Sequence, residues 1–263
     1  MIRLIATDLD GTLLEKGGAL PEGFYEVADG LKKLGILLVA SSGRQYDNLR
    51  RKFQPIAREM GFVCENGGLN ALGREIVSIH PMDRATVLAI IQTLQGMGLS
   101  VLLSGVRCCY TWSGDRSFCD EMVYGLRNTM TIVDDFSQVD DDFIKLAAYH
   151  PGTIAPFVDK LQQKWGAAVN VARSGMEWCD FNLSNKGMGL KDLMRRLNLS
   201  PSEAAAFGDN YNDESMLCEV GHPFLMESAD AGLWKPGIRK CSHVLDVWRA
   251  IILHGGELPE DEF

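Results

Sequence analysis

Two short acidic segments carry the residue types with the most chemical potential. The first is Asp8-Leu9-Asp10-Gly11-Thr12, which closes the apolar run Ile2 to Thr7. Side chains alternate along an extended strand, so Asp8 and Asp10 share a face while Leu9 turns away. Gly11 permits the sharp turn that follows. Two carboxylates this close repel each other unless a cation lies between them or one holds a proton. The segment therefore suits metal binding or proton transfer, or else it is an acidic turn that caps the next helix.

The second is Gly208-Asp209-Asn210-Tyr211-Asn212-Asp213, after the run Ala204 to Phe207. Asp209 and Asp213 are four residues apart, and a helical turn aims both to one side. Taken alone, a helix-capping loop accounts for this segment equally well. Two acidic strand ends at one sheet edge can share a hard cation, and few oxygen ligands completed by water is the habit of Mg²⁺. Ser41-Ser42-Gly43-Arg44 follows the apolar run Ile36 to Ala40. Its hydroxyl and backbone N–H groups, at the start of a helix, suit an oxyanion, although a serine there also serves as a plain N-cap. Asn185-Lys186-Gly187 opens a helical stretch. A lysine at a helix N-terminus meets an unfavourable dipole, which an anion relieves; a solvated lysine is the alternative.

These residues need a scaffold that brings strand ends together. Short apolar strands alternate with helical stretches, the pattern of an α/β fold with a parallel sheet that places ligands at the strands' carboxyl ends. A helix from Pro21 to Leu34 carries the stripe Phe24, Val27, Leu31 and Leu34, and strands are expected at 36–40 and 62–65. The texture changes after Pro81. A helix from Asp83 to Met97, alternating stretches, a second helix from Thr153 to Trp165 and two further strands state one element order twice. From Lys186 the α/β rhythm resumes, with strands at 204–209, 220–226 and 241–245 and an acidic tail. The expected architecture is a Rossmann-like parallel-sheet core built from 1–81 and 185–263, with an α+β domain inserted at 82–184.

Composition narrows the partners. The 263 residues carry a net charge of −9, which argues against nucleic acid and anionic membrane surfaces. The seven cysteines lack any CxxC spacing, so reduced thiols and a cytoplasmic location are expected. The five histidines are scattered without ligand spacing.

The four motifs, in this order, resemble the haloacid dehalogenase superfamily. The SSGR turn, Glu65-Asn66-Gly67-Gly68, the Lys186 helix and GDNYND are similar to its Cof-type phosphatases, in which a large α/β cap is inserted between the second and third motifs. The resemblance implies that Asp8 is a nucleophile forming an aspartyl phosphate and that Asp10 is the general acid and base. It implies Mg²⁺ on Asp8, the Asp10 backbone carbonyl and Asp209, with Ser42, Gly43, Lys186 and Asn212 holding the phosphoryl group. Asp213 then orients Lys186 or a metal-bound water. An acid two residues after the nucleophile goes with alkoxide rather than halide leaving groups, so the implied substrate is a small phosphorylated metabolite, sugar phosphates first. Ser42 stands where threonine is commoner, which keeps the hydroxyl. A phosphomutase similar to phosphomannomutases, a receiver-like phospho-acceptor and a catalytically weak metabolite-binding regulator are the alternatives.

Overall fold

The structure, a computed structural model, describes residues 1–125 and 129–259; the last four residues of the acidic tail lie outside that range. The chain runs β1 (Leu4–Thr7), α1 (Phe24–Lys33), β2 (Leu37–Ser41), α2 (Tyr46–Lys52), β3 (Gly61–Cys64), β4 (Leu69–Leu72) and β5 (Glu75–Ile79). It continues through α3 (Arg84–Gly96), β6 (Ser100–Gly105), β7 (Cys109–Trp112), α4 (Arg116–Asp120), β8 (Met130–Val133), β9 (Phe143–Tyr149), α5 (Ala155–Trp165), β10 (Asn170–Arg173) and β11 (Trp178–Asn182). It closes with α6 (Lys186–Arg196), β12 (Ala204–Gly208), α7 (Glu214–Leu217), β13 (His222–Met226), β14 (Arg239–Cys241) and α8 (Val244–Leu253).

The chain divides into two compact units, one of residues 1–44, 53–78 and 185–263, the other of 45–52 and 79–184. The first is built on the sheet β14-β13-β12-β1-β2-β3-β4-β5. From β14 to β3 every pairing is parallel, and β4 joins β3 antiparallel. β1 lies at the middle, with Ala6 opposite Ala206 on one side and Val39 on the other. The segments LIAT, LLVAS and AAAFG are short apolar runs buried on both faces, as strands inside a parallel sheet must be. On one face α6 lays Leu190, Leu193 and Met194 against Leu4, Ala6, Val39 and Val63. Elsewhere in this unit Phe24 of α1 and Trp248 of α8 pack with Phe53 and Phe207. The chain leaves β1 towards β2 on one side and returns through β12 on the other. This makes the carboxyl ends of β1, β2 and β12 the topological switch point, where open α/β sheets form a crevice.

The second unit holds the sheet β10-β11-β9-β6-β7-β8, antiparallel except for the parallel β7–β8 pair. Its core gathers Val87, Ile90, Ile91 and Leu94 of α3 and Leu161 of α5 over Leu103, Leu146 and Phe181. The fold is thus α/β in its core with an α+β insertion.

Several elements differ in detail from the sequence reading. The first helix begins at Phe24, not Pro21, because Gly23 sits in the left-handed region at φ 78° and interrupts the helical path. The stretch 241–245 is not one strand. β14 ends at Cys241, and α8 begins at Val244, where Val244, Val247, Trp248 and Ile251 bury one helical face. β8 was not expected: its two middle residues are exposed, which blurs any alternation. All seven cysteines are free thiols, and no helix among the described residues is long and apolar enough to cross a membrane.

Candidate active site

Three strand ends and one helix start deliver the site, all within the first unit. Asp8 follows β1 and donates its backbone N–H to the Phe207 carbonyl of β12 at 2.9 Å, so the two acidic motifs are fastened together at their roots. Lys186 is the first residue of α6, whose N-terminus is capped by Asn185 Oδ1 accepting from the Met188 N–H at 2.8 Å. Its ammonium is fully buried and donates to Asp8 Oδ1 at 2.5 Å and to Asp213 Oδ1 at 2.6 Å. The other Asp213 oxygen accepts the backbone N–H groups of Asp209 and Asn210, both at 3.0 Å. Asp213 is therefore satisfied on both oxygens and holds Lys186 in place. Asp209 is fixed by the Thr12 hydroxyl, which donates to its Oδ1 at 2.7 Å.

Gly11 explains how the two motifs approach so closely. Its φ is +96°, and a Cβ there would occupy the space of the Asp209 carboxylate. Only glycine meets both demands.

One oxygen each of Asp8, Asp209 and Asp213 lies within 4.8 Å of the others. Three carboxylates face a single ammonium, and the electrostatics register the excess. Burial is the main cause that raises Asp8 well above the usual carboxylate range; Asp213 and Asp209 add to it and Lys186 opposes it. Asp209 is raised too, chiefly by burial. Burial works against the charge on Lys186, but Asp8 and Asp213 outweigh it and hold the lysine above its ordinary value. A buried group of this charge is stabilised by a divalent cation, so the donor set fits a metal ion of oxygen preference.

The remaining candidates lie around this cluster. The Asp10 carboxylate is turned towards solvent and grips Arg44 in a bidentate pair, Nε to Oδ2 at 2.9 Å and Nη2 to Oδ1 at 2.6 Å. Ser42 follows β2, is buried, and its hydroxyl accepts the Arg44 N–H at 3.2 Å. Asn212 donates to Asn66 Oδ1 at 3.4 Å. The structure thus brings Asp8, Lys186, Asp209 and Asp213 into direct contact or near it, and sets Asp10, Ser42, Gly43 and Asn212 at the edge. Thr12 received no role from sequence, although its place four residues after Asp8 in the same turn was the available signal.

Comparison with known proteins accords with this arrangement. A family model described as haloacid dehalogenase-like hydrolase matches residues 5–236. The chain is 29% identical to the 5-amino-6-(5-phospho-D-ribitylamino)uracil phosphatase YbjI of Escherichia coli K12, across 99% of each chain. It is 26% identical to the HMP-PP phosphatase of Cronobacter sakazakii, across 87% of this chain and 85% of that one. A solved structure from Eubacterium rectale aligns with a TM-score of 0.85 at 27% identity, covering 95% of this chain and 99% of the other. Fold and site together define an α/β hydrolase with its carboxylates at the sheet switch point. The chain belongs to the haloacid dehalogenase-like hydrolase family, and within it is a phosphoric monoester hydrolase.

Proposed function

We propose that this protein is a Mg²⁺-dependent phosphatase that hydrolyses small phosphorylated metabolites, sugar phosphates first among them, through an aspartyl phosphate on Asp8. The observation that carries the reading is the fully buried Lys186 ammonium clamped between Asp8 and Asp213 beside a third carboxylate. The Asp8 carboxylate attacks phosphorus, and the bond from phosphorus to the leaving oxygen breaks. Asp10 gives that oxygen its proton. Water then attacks phosphorus, Asp10 takes a proton from it, and the bond to Asp8 breaks to release orthophosphate. For Asp10 to serve, its carboxylate must leave Arg44, since a carboxylate held by both guanidinium hydrogens is an acceptor only.

Lys186 neutralises charge on Asp8 and the phosphoryl group, and Asp213 keeps the lysine charged and aimed. Ser42, the Gly43 backbone and Asn212 bind phosphoryl oxygens. Asp8, Asp209 and the Asp10 carbonyl would hold Mg²⁺, which when bound supplies charge neutralisation between carboxylates and phosphate. The inserted domain, residues 82–184, selects the substrate, and the enzyme works in the cytoplasm. One relative named for a phosphorylated ribitylaminouracil and another named for HMP-PP support a small substrate. The test is phosphate release from a panel of sugar phosphates and phosphorylated pyrimidines, with Mg²⁺ and after exhaustive chelation. Turnover of at least one small phosphate ester only with Mg²⁺ supports the reading, and full activity in chelator removes the metal from it.

A further inference from the structure

The turn from Glu65 to Gly67 joins β3 to β4 and has no part in the chemistry above. Glu65, Asn66 and Gly67 have φ values of 50°, 54° and 90°, three successive residues in the left-handed region. Residues with side chains avoid that region, and such strain persists where the surroundings impose it, commonly beside functional groups. Here the surroundings act from two sides. The Glu65 N–H donates to the Arg44 carbonyl and the Asn66 N–H to the Ser42 carbonyl, both at 3.1 Å. On the other flank, a Cβ on Gly67 would collide with the carbonyl of Asn185, the residue before Lys186. The turn is wedged between the loop that carries Ser42 and the start of α6.

At the middle of this turn the Asn66 side chain meets two of the anion-binding segments. Its Oδ1 accepts from Asn212 Nδ2 at 3.4 Å. Its amide also packs on Gly43, where a Cβ would stand 3.4 Å from both Nδ2 and Oδ1. Asparagine is among the few residues with a side chain that tolerate the left-handed region, so this turn can present an amide where glycine would present none. We propose that Asn66 is a positioning residue. Its amide ties Asn212 to the Ser42-Gly43 turn, so that donors on the two loops close on one phosphoryl group. The assignment rests on the phosphatase reading above.

Glycine and aspartate substitutions separate side chain from backbone. N66G keeps the left-handed turn and removes the amide; N66D keeps the turn and the acceptor but sets a negative charge beside the anion. Orthophosphate binding, measured by titration calorimetry with Mg²⁺ present, is compared for the full-length wild type, N66G, N66D, N212A and the N66G/N212A double variant, alongside thermal midpoints. N66G and N212A each weaken orthophosphate by about 10- to 100-fold, the range of one hydrogen bond to a charged group. The double variant is no weaker than the worse single one, N66D is weaker than N66G, and the N66G midpoint stays near that of wild type. Wild-type binding by N66G, multiplying effects in the double variant, or a loss that follows a fallen thermal midpoint would overturn the assignment. Failure of the phosphatase reading shows separately, as wild-type protein that binds orthophosphate yet releases none from any ester.

Discussion

Replacing Lys186 by methionine probes the site's electrostatics at their most buried charge. The lysine is fully buried and the carboxylates it serves are 7% (Asp8) and 0% (Asp213) exposed, so solvent cannot take over its role. Removing one partner of a buried ion pair typically destabilises by about 3–5 kcal/mol, because the other charge stays behind uncompensated. For a domain of this size that corresponds to a thermal midpoint lower by on the order of 10 °C. The loss depends on pH. Asp8 is already raised in the wild type, and Lys186 is the strongest influence holding it down, so K186M raises it further. A carboxyl raised in the folded state binds its proton there before it does so in the unfolded chain. The penalty is therefore complete above the folded value and relieved as pH falls through it towards the ordinary carboxylate range. Thermal unfolding in chelator at pH 10, 9, 8, 7 and 6 reads this directly. K186M should lie farthest below wild type at the alkaline end and gain on it as pH falls towards about 7, where Asp8 of the wild type takes up its own proton; below that the two should run parallel. The K186M/D8N double variant should recover much of the difference, since the orphaned charge is gone. A pH-independent loss that D8N leaves untouched would refute the reasoning, as would no loss at all.

Further expectations follow from other contacts. D10N should slow both half-reactions by ~10²–10⁴-fold, and the first step more for a sugar phosphate than for an activated aryl phosphate, which rapid-quench kinetics resolves; equal slowing would remove Asp10 as the acid. G11A should destabilise by about 1–3 kcal/mol and raise the Mg²⁺ concentration needed for half-activation, because a methyl group there displaces the Asp209 carboxylate; an unchanged metal requirement would contradict the packing. Glu203 is held down to about 2, first by the Ser200 backbone N–H, then by the Ser200 hydroxyl and Arg3. Its stabilising contribution is complete above about 4.5 and fades as pH falls towards 2. Urea midpoints of wild type and E203Q should therefore differ at pH 7 and draw together as pH falls from 4.5 towards about 2.

Much of this site was legible because its chemistry sits on contiguous motifs at strand ends. Asp8 and Asp209 each follow a short apolar run, and Lys186 opens an amphipathic helix, so the local pattern places all three at element boundaries. The bridge between motifs was less visible. That Asp213 orients Lys186 came from the resemblance and not from the local pattern, and that Thr12 would fix Asp209 follows from β1 and β12 lying side by side, which is a property of sheet order rather than of any local window. The Asp10–Arg44 pair is a surface contact between two loops, and alternation along β1 placed Asp10 beside Asp8 instead. Asn66 was noticed only as part of a motif, because a left-handed turn leaves no periodic signal beyond its asparagine and glycine. Strand β8 escaped for a similar reason: it is short, with an exposed middle, and only pairing with β7 identifies it. The α8 boundary was misplaced because the apolar pair Val244-Leu245, with a β-branched valine first, reads as strand locally, while the longer helical stripe decides the outcome.

The central claim is that the phosphoryl group passes through Asp8. The most direct measurement is acid quench during turnover of a labelled phosphate ester, followed by borohydride reduction and mass mapping of the peptide that contains Asp8. The mechanism predicts protein-bound label at Asp8 that appears within the first turnover, reduction of an acyl phosphate at that position, and neither signal in D8N. Turnover by wild type with no phosphoryl group on Asp8, together with substantial activity in D8N, would contradict it.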